Sequence, residues 1–233
     1  MNEATAGEVI HRREGSTLRL ELCQPRRRNA LSPFMLRSLR AALGTAETDQ
    51  DVRLVVISGA GEGPFSSGYD IGALHQETPD DIGATAVATA EHEIDATVQA
   101  IRRLPVPVAA FVRRYSIGAS LEILAACDLR FCAPGCYFTL PALRVGVAYG
   151  VTGIRRLSRA FSEPALSELI WSPRGVDAER ARQLGIVHDV VPEPPTSFLD
   201  ARLEHLSNSP RAVVGQLKRN LAAARACHEE RDR

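Results

Sequence analysis

Two short apolar runs, each followed by a glycine-containing loop and then a helical pattern, place the strongest constraint on the fold of this chain. The runs are RLVVIS at 53–58 and VPVAAFV at 106–112. A continuous apolar run of this length is typical of a strand that is buried on both faces of a parallel sheet. Between the runs, residues 82–103 carry Ile94, Val98 and Ile101 on one side of a predicted helix. This alternation of strands and helices predicts an α/β core.

The other predicted elements extend this alternation along the chain. Residues 8–22 predict two strands around a turn at 14–16, and Ser32 with Pro33 predicts the start of a helix that runs to about Glu47. Further predicted elements are a turn and helix at 116–128, a strand at 129–134, an extended piece at 137–141, helices at 153–161, 163–171 and 177–184, a strand at 186–191, and a charged helical stretch at 197–229 that is interrupted near 208–210.

Composition excludes several classes of protein. The 233 residues include 28 Lys plus Arg and 28 Asp plus Glu, so no net charge favours nucleic acid or an anionic membrane as a partner. The chain has no apolar window of about 18 residues and no pattern of a secretory signal, so we expect a cytoplasmic protein. Its five cysteines predict reduced thiols. Cys127, Cys132 and Cys136 have no nearby histidine, and we expect no metal site.

Two loops that follow the buried strands are candidates for chemistry. They are FSSGYDI at 65–71 and SIGASLE at 116–122. A glycine loop that leads from a strand into a helix can present backbone N–H groups to a developing anion. Together with NALS at 29–32 and PALRVG at 141–146, in this order and spacing, the loops resemble segments of the crotonase (enoyl-CoA hydratase/isomerase) superfamily, and the resemblance covers roughly residues 8–225.

This resemblance implies a fold, a substrate and an assembly. The expected fold is the crotonase spiral of ββα units at 1–194, followed by a helical C-terminal region at 195–233 that mediates trimerisation. The expected partner is an acyl-CoA thioester from fatty acid or polyketide metabolism, with no separate cofactor, and the expected assembly is a trimer or a dimer of trimers. The family continues beyond the helix that contains Val214 and Leu217 with a segment that helps close the CoA site, so the short C-terminal region here predicts altered closure.

The resemblance also assigns roles to residues. Family members stabilise the thioester enolate with two backbone N–H groups, which match Tyr69 and Ala119. Glu122 matches one of the two catalytic glutamates of the hydratases, and partial burial would raise its pKa and suit it to acid–base catalysis. The residues that the resemblance places around the thioester and CoA are Arg28, Ala30, Ser67, Gly68, Asp70, Ile71, Gly118 and Ala142.

Some positions depart from the hydratase pattern. Ala142 stands where hydratases have their second glutamate, and alanine cannot transfer a proton. The stretch VGVAYG at 145–150 is similar to the methylmalonyl-CoA decarboxylase branch, which lacks that second carboxylate and has a tyrosine in the acyl pocket. Tyr149 would be this tyrosine, although core packing explains it equally well. Arg113 and Arg114 stand where the family has Asn-Gly, which predicts an altered backbone before Ala119.

Two classes of function therefore stay open. One is an enzyme that uses Glu122 as its single acid–base group, in hydratase- or isomerase-like chemistry or in decarboxylation of a malonyl-type thioester. The other is a non-catalytic protein that binds acyl-CoA. Glu122 favours the first and Ala142 the second. Glu91 and His92 lie on the helix predicted beside the acyl pocket, but adjacent helical residues point in different directions, so we expect no single site there and a surface position for His92.

Overall fold

The computed structural model describes residues 7–70, 84–146, 148–192, 201, 204–206 and 208–231. The strands in these ranges are β1 (Glu8–Glu14), β2 (Thr17–Cys23), β3 (Leu54–Gly59), β4 (Val108–Val112), β5 (Tyr115–Ile117), β6 (Leu129–Cys132), β7 (Tyr137–Thr139), β8 (Val176–Asp177) and β9 (Asp189–Val190). The helices are α1 (Pro33–Thr48), α2 (Ala84–Arg103), α3 (Ser120–Ala126), α4 (Ala142–Val145), α5 (Val151–Ser158), α6 (Glu163–Trp171), α7 (Ala178–Gln183) and α8 (Arg211–Arg231).

A six-stranded sheet in the order β1-β2-β3-β4-β6-β9 forms the centre of the protein. β1 is antiparallel to β2, and every other neighbouring pair is parallel. The register sets Ile57 of β3 between Leu20 of β2 and Ala110 of β4, and all three side chains are buried. Helices α1, α2 and α3 form the crossovers between successive parallel strands. The predicted α/β core is confirmed.

A second, three-stranded sheet in the order β5-β7-β8 lies beyond the carboxyl ends of β4 and β6. β5 and β7 are parallel, with Ser116 opposite Phe138, and β8 pairs antiparallel with β7. The sequence did not predict β5 or β8, because strands of three and two residues are too short to show an apolar alternation. This small sheet holds the second of the two glycine loops.

Several helices begin where capping chemistry predicts. The Ser32 hydroxyl accepts a hydrogen bond from the Met35 N–H at 3.1 Å, and Pro33 occupies the first helical position of α1. The Asp177 carboxylate accepts from the Arg180 N–H at 2.8 Å at the start of α7. These bonds satisfy N–H groups that have no partner within the helix.

Two predicted elements have different bounds in the structure. The strand predicted at 186–191 is reduced to Asp189–Val190, because the N–H groups of Ile186 and Val187 donate to the Ala181 carbonyl at 2.9 and 3.3 Å and complete the turn after α7. The helix predicted at 153–161 runs from Val151 to Ser158. It ends there because the chain then turns, with the N–H groups of Ala160 and Phe161 both donating to the Leu157 carbonyl at 3.0 Å.

Helix α8 is attached to the core by two cations. The Arg211 guanidinium donates to four carbonyls at and beyond the end of α1, at 2.6 to 2.9 Å. The Lys218 ammonium donates to the carbonyls of Ile101 and Val106, both at 3.1 Å, and pairs with Asp128 at 2.7 Å. Cations are favourable at helix C-termini, where carbonyl groups lack partners within the helix.

The outer face of α8 is apolar. Val213, Leu217 and Leu221 are each more than half exposed and follow one another at helical spacing. The predicted boundary at 194 and 195 lies outside the described residues. Leu203, an apolar residue of the helical stretch predicted at 197–229, lies outside them too. No helix within the described ranges is both long and apolar enough to cross a membrane.

Candidate active site

The first glycine loop is fixed to the segment before α1 by a parallel bridge between Leu31 and Tyr69. The Leu31 N–H donates to the Gly68 carbonyl at 2.8 Å, and the Asp70 N–H donates to the Leu31 carbonyl at 3.1 Å. In a parallel bridge, the residue whose two neighbours make these bonds directs its own N–H to the opposite edge. The Tyr69 N–H is therefore directed away from Leu31.

The second glycine loop follows β5. The Gly118 N–H donates to the Thr139 carbonyl at 3.0 Å, and Ala119 is the N-cap residue of α3. The N–H of an N-cap residue belongs to the first turn and has no partner within the helix. The Ser116 and Ser120 hydroxyls lie 2.8 Å apart and are both buried beneath the loop. Ala119 therefore presents its N–H from a firmly supported turn.

The two loops are in direct contact. Gly68 has a φ of +96° and Gly118 a φ of +60°, a region that favours glycine. A β-carbon on Gly68 would lie 2.7 Å from the Ile117 carbonyl oxygen, and one on Gly118 would lie 4.0 Å from the Gly68 α-carbon. Gly68 therefore has no room for a side chain, whereas Gly118 is favoured by its positive φ. The structure thus brings together the two segments that carry the predicted donors Tyr69 and Ala119.

Glu122 lies one turn into α3 and is buried, as is its partner Arg156 from α5. The Arg156 Nε donates to Glu122 Oε2 at 2.5 Å. Burial raises the pKa of the Glu122 carboxyl above its ordinary value. The Arg156 guanidinium opposes this shift in pKa, whereas the carboxylates of Glu91 and Asp95 add to it. Glu122 is thus a buried carboxyl whose protonation depends on its charged neighbours.

Further acidic groups approach this ion pair from α2. Asp95 Oδ1 lies 3.5 Å from Arg156 Nη1. Glu91 is half-buried, and a β-carbon on Gly150 would lie 2.6 Å from its Oε1, so the Glu91 carboxylate lies against the start of α5. Two carboxylates therefore contact the Arg156 guanidinium, and the third, Glu91, lies near enough to Glu122 to raise its pKa. We call Glu91, Asp95, Glu122 and Arg156 the charged cluster.

Tyr149 connects the charged cluster with the second glycine loop. A β-carbon on Gly118 would lie 3.2 Å from its hydroxyl oxygen, and one on Gly153 would lie 3.3 Å from its ring and 3.7 Å from both Glu122 carboxylate oxygens. Burial and, next, the charge of Glu122 raise the pKa of the Tyr149 hydroxyl. At neutral pH this hydroxyl therefore carries its proton and can donate a hydrogen bond beside Gly118.

The segment 26–30 lies against the first glycine loop. Ser67 donates from its N–H to the Arg28 carbonyl at 3.1 Å, and buried Asp70 pairs with the Arg27 Nη1 at 2.6 Å. Arg28 is exposed and hydrogen-bonds with Tyr115, whereas Ala30 is buried and donates to the Arg27 carbonyl. Arg27 is thus already engaged with Asp70.

One predicted site residue, Ala142, takes no part in these contacts among the described residues. Ala142 is half-buried and begins the one-turn helix α4, where its carbonyl accepts from the Gly146 N–H at 2.8 Å. Ile71 lies outside the described residues. His92 is exposed on α2, as predicted.

Arg113 and Arg114, from which an altered backbone was predicted, connect β4 with β5. Arg114 has a φ of +55°, the left-handed conformation that a glycine adopts easily. This conformation costs an arginine about 1–2 kcal/mol. The Arg114 Nε donates to the Glu62 carbonyl at 2.8 Å and the Arg113 Nη1 to the Gly61 carbonyl at 2.7 Å, which helps to hold the turn.

Sequence reasoning missed Arg156 and treated Glu91 as part of no site. A signal for each was present in the helical spacing. Arg156 shares a face with Gly153 and Leu157, which are buried, so a cation there called for a buried counter-charge. Glu91 precedes buried Ile94 by three residues and therefore lies on the inward side of α2.

The described residues contain no group of three His, Cys, Asp or Glu side chains that could hold a metal ion. Four of the five cysteines, namely Cys23, Cys127, Cys132 and Cys136, are free, and the last three of these are buried. Burial and the neighbouring Asp128 raise the pKa of the Cys127 thiol to about 12. Such a thiol is protonated and a poor metal ligand.

Comparison with known proteins gives consistent matches over nearly the whole chain. A family model described as enoyl-CoA hydratase/isomerase matches residues 12–233. The chain is 27% identical over 209 residues to the short-chain-enoyl-CoA hydratase of Clostridium acetobutylicum, covering 88% of this chain and 77% of the relative. It is 32% identical over 210 residues to the mitochondrial Delta(3,5)-Delta(2,4)-dienoyl-CoA isomerase of Homo sapiens, covering 84% of this chain and 62% of the relative.

Solved structures show the same fold. An enoyl-CoA hydratase/carnithine racemase from Magnetospirillum magneticum superposes with a TM-score of 0.86 at 24% identity, covering 93% of this chain and 80% of that one. At this identity the likeness concerns the fold alone. The crotonase fold class expected from the sequence is confirmed.

Proposed function

Because the chain belongs to the enoyl-CoA hydratase/isomerase family, we propose that it is an enzyme that stabilises the enolate of an acyl-CoA thioester with the N–H groups of Tyr69 and Ala119. The observation that carries this proposal is the contact between the Gly68 and Gly118 loops, with Glu122 one turn beyond the second loop. Backbone donors of this kind contribute about 3 kcal/mol each to a transition state that carries an oxyanion.

The chemistry proposed for Glu122 is proton transfer at the carbons next to the thioester. Its carboxyl is buried and its pKa is raised toward the working pH, which suits a general acid or base. The bond from Arg156 fixes the orientation of the carboxylate. A base that is held in one orientation beside an enolate site lowers the barrier by removing the need to search for the reactive geometry.

For the CoA end of the substrate, we propose the edge that contains Arg28, Ala30, Ser67 and Asp70. Arg28 is exposed there, and a guanidinium suits a phosphate group. Arg27 serves a different purpose, since its ion pair with Asp70 fixes the end of the first glycine loop. Arg27 and Arg28 therefore differ: Arg27 supports the loop, and Arg28 faces solvent.

Decarboxylation of a malonyl-type thioester is a second candidate. The position of the Tyr149 hydroxyl beside Gly118 favours it, since a tyrosine there could contact the acyl group. The charged cluster disfavours it, because it contains three carboxylates and one guanidinium, and this excess of acidic groups would repel the carboxylate of such a substrate. A non-catalytic acyl-CoA-binding protein would have no need of a buried, oriented Glu122.

We also propose that the protein assembles as a trimer or a dimer of trimers in the cytoplasm. The exposed apolar residues Val213, Leu217 and Leu221 support an interface on α8. The free cysteines fit a reducing compartment. Light scattering at micromolar concentration tests the assembly, and a monomer would contradict it.

The proposed activity is tested by incubating the purified protein separately with crotonyl-CoA and methylmalonyl-CoA and following the products by mass spectrometry. Hydration or isomerisation of crotonyl-CoA supports the main proposal, and loss of carbon dioxide from methylmalonyl-CoA supports the second candidate. Tight binding of both without turnover would show an acyl-CoA-binding protein instead.

A further inference from the structure

Addition of water to a 2-enoyl thioester uses one group that accepts a proton from water and one that donates a proton to carbon. Glu122 can be one of them, and Ala142 cannot be the other. The question is whether another element supplies the missing acidic side chain. The charged cluster contains two further carboxylates, both from α2.

Of these two, Asp95 has a counter-charge in Arg156, whereas the described part of the chain contains no counter-charge that contacts Glu91. No hydrogen bond or ion pair to the Glu91 carboxylate occurs among the residues that the structure describes. Glu93, two positions further along α2, is held by the Arg40 guanidinium at 2.7 Å. A half-buried carboxylate without such a partner costs folding free energy and is typical of a functional group.

Glu91 and Glu122 approach the same turn of α5. The Glu91 Oε1 lies against Gly150, and both Glu122 oxygens lie near Gly153, three residues further on. Both positions are glycines, so no side chain of α5 stands between the carboxylates and the α5 backbone there. Tyr149 precedes this turn and reaches the Gly118 loop. The two carboxylates therefore flank the turn that faces the proposed enolate site.

We propose that Glu91 is the second catalytic carboxylate and that the enzyme adds water to a 2-enoyl-CoA with an uncharged acyl chain. This inference rests on the proposed function. Glu91 would take from α2 the role for which position 142 has no acidic group. The charged cluster contains three carboxylates and one guanidinium, and this excess of acidic groups disfavours any acyl chain that carries a carboxylate.

The step balances with two carboxyl groups in opposite protonation states. The ionised carboxylate accepts one proton of water as the water oxygen bonds to the β-carbon. The electron pair of the carbon–carbon double bond moves toward the thioester oxygen, where Tyr69 and Ala119 donate to the enolate. The protonated carboxyl then gives its proton to the α-carbon as the enolate electrons return. Proton exchange between the two carboxyls restores the starting state.

The test compares Glu91→Gln with Glu93→Gln, a matched change on the same helix at a carboxylate that faces Arg40. Rates of crotonyl-CoA hydration are measured for both variants and the wild type, together with exchange of the α-protons of butyryl-CoA into deuterated water. We expect Glu91→Gln to lower kcat for hydration by at least about 100-fold and Glu93→Gln to stay within about threefold. Glu91→Asp, which keeps the carboxylate, should recover part of the loss.

The outcomes separate this inference from the function on which it rests. Hydration by Glu91→Gln within about threefold of the wild type would overturn the role of Glu91 while the enzyme stays active. An equal loss in Glu93→Gln would overturn it as well, since the effect would then come from packing of α2. Wild-type protein that processes methylmalonyl-CoA but not crotonyl-CoA keeps the enolate function and overturns this inference. Wild-type protein that processes no acyl-CoA overturns both.

Discussion

The two halves of the candidate active site are built by different means. The donor side consists of backbone groups in two loops that follow β3 and β5, and glycine conformation and short bridges hold it together. The charged cluster consists of side chains from α2, α3 and α5, and its central bond joins residues 34 positions apart. The positions of the backbone donors are determined by the sequence of their own loops. The charged cluster, in contrast, forms only when helices that are distant in sequence pack together.

The two halves also differ in what a substitution does to them. A side-chain change in the loops leaves the N–H groups in place unless it alters the backbone. A change in the charged cluster leaves a buried charge without its partner, which costs several kcal/mol. We therefore expect the loops to tolerate most side-chain substitutions but few changes of the backbone. In the charged cluster we expect side-chain substitutions to be the more damaging changes.

The largest expected effect is on the charged side. Glu122→Gln keeps the size and polarity of the side chain but cannot transfer a proton, so turnover should fall by about 100- to 10,000-fold. The control is Glu163→Gln, an exposed glutamate in the first turn of α6. Steady-state kinetics with the substrate that the wild type processes checks this. Activity within about threefold of the wild type would show that Glu122 is only structural.

A backbone change should have nearly as large an effect on the donor side. Ala119→Pro removes the N–H of the second proposed donor at a helix start where the φ of −57° suits proline. The rate should fall by about 100- to 1000-fold. Ala119→Gly alters the side chain but keeps the N–H, and it should retain most of the activity. Circular dichroism verifies that both variants fold, and a folded, fully active proline variant would contradict the assignment.

Arg156→Met should have its main effect on stability. It leaves Glu122 buried without its counter-charge, and the free energy of unfolding at neutral pH should fall by about 3–5 kcal/mol. The control is Arg155→Met at the neighbouring exposed position of α5, which should change stability little. Urea denaturation measures both variants, and equal losses would show that the ion pair contributes nothing specific.

The same variant has a predictable pH dependence. The pKa of Glu122 is raised in the folded protein by burial, Glu91 and Asp95 and is lowered by Arg156, while Tyr149 beside it stays protonated. Between the ordinary and the raised pKa, the folded state binds more protons than the unfolded state, so stability falls as pH rises. Without Arg156 the pKa of Glu122 should rise further and extend this loss to higher pH.

The smallest expected effect separates close approach from backbone strain in the donor loops. Gly68→Ala places a β-carbon against the Ile117 carbonyl, whereas Gly135→Ala has a similar positive φ but open space around it. We expect a loss of about 1 kcal/mol at position 135 and about 2–3 kcal/mol at position 68. Only Gly68→Ala should also lower the rate. Equal losses of stability would show that the contact between the loops is not tight.

Much of the fold could be predicted from the sequence, because buried parallel strands are continuous apolar runs. The runs at 53–58 and 106–112 became β3 and β4, and Ser32 with Pro33 marked the start of α1. Strands β5 and β8 are too short for any periodic signal. The run at 186–191 was misleading because Ile186 and Val187 are buried in a turn, and burial alone does not specify pairing.

The site was predicted unevenly for the same physical reason. The glycines of the donor loops could be located from the strand-to-loop pattern and the resemblance. The partner of Glu122 could not, since nothing local to Glu122 indicates which helix packs on it. The conformation of Arg114 could not be predicted either, because hydrogen bonds to Glu62 and the pairing of β5 maintain a positive φ that residue type alone would not predict.

The attachment of α8 has a consequence for how this architecture can change during evolution. Arg211 and Lys218 hold the helix by donating to carbonyl groups of the core rather than by filling an apolar socket of their own. If the helix moves away, water can satisfy those carbonyls, and the sheet beneath keeps its own packing. A few substitutions at these cations would therefore be enough to reposition α8 without changes in the α/β core.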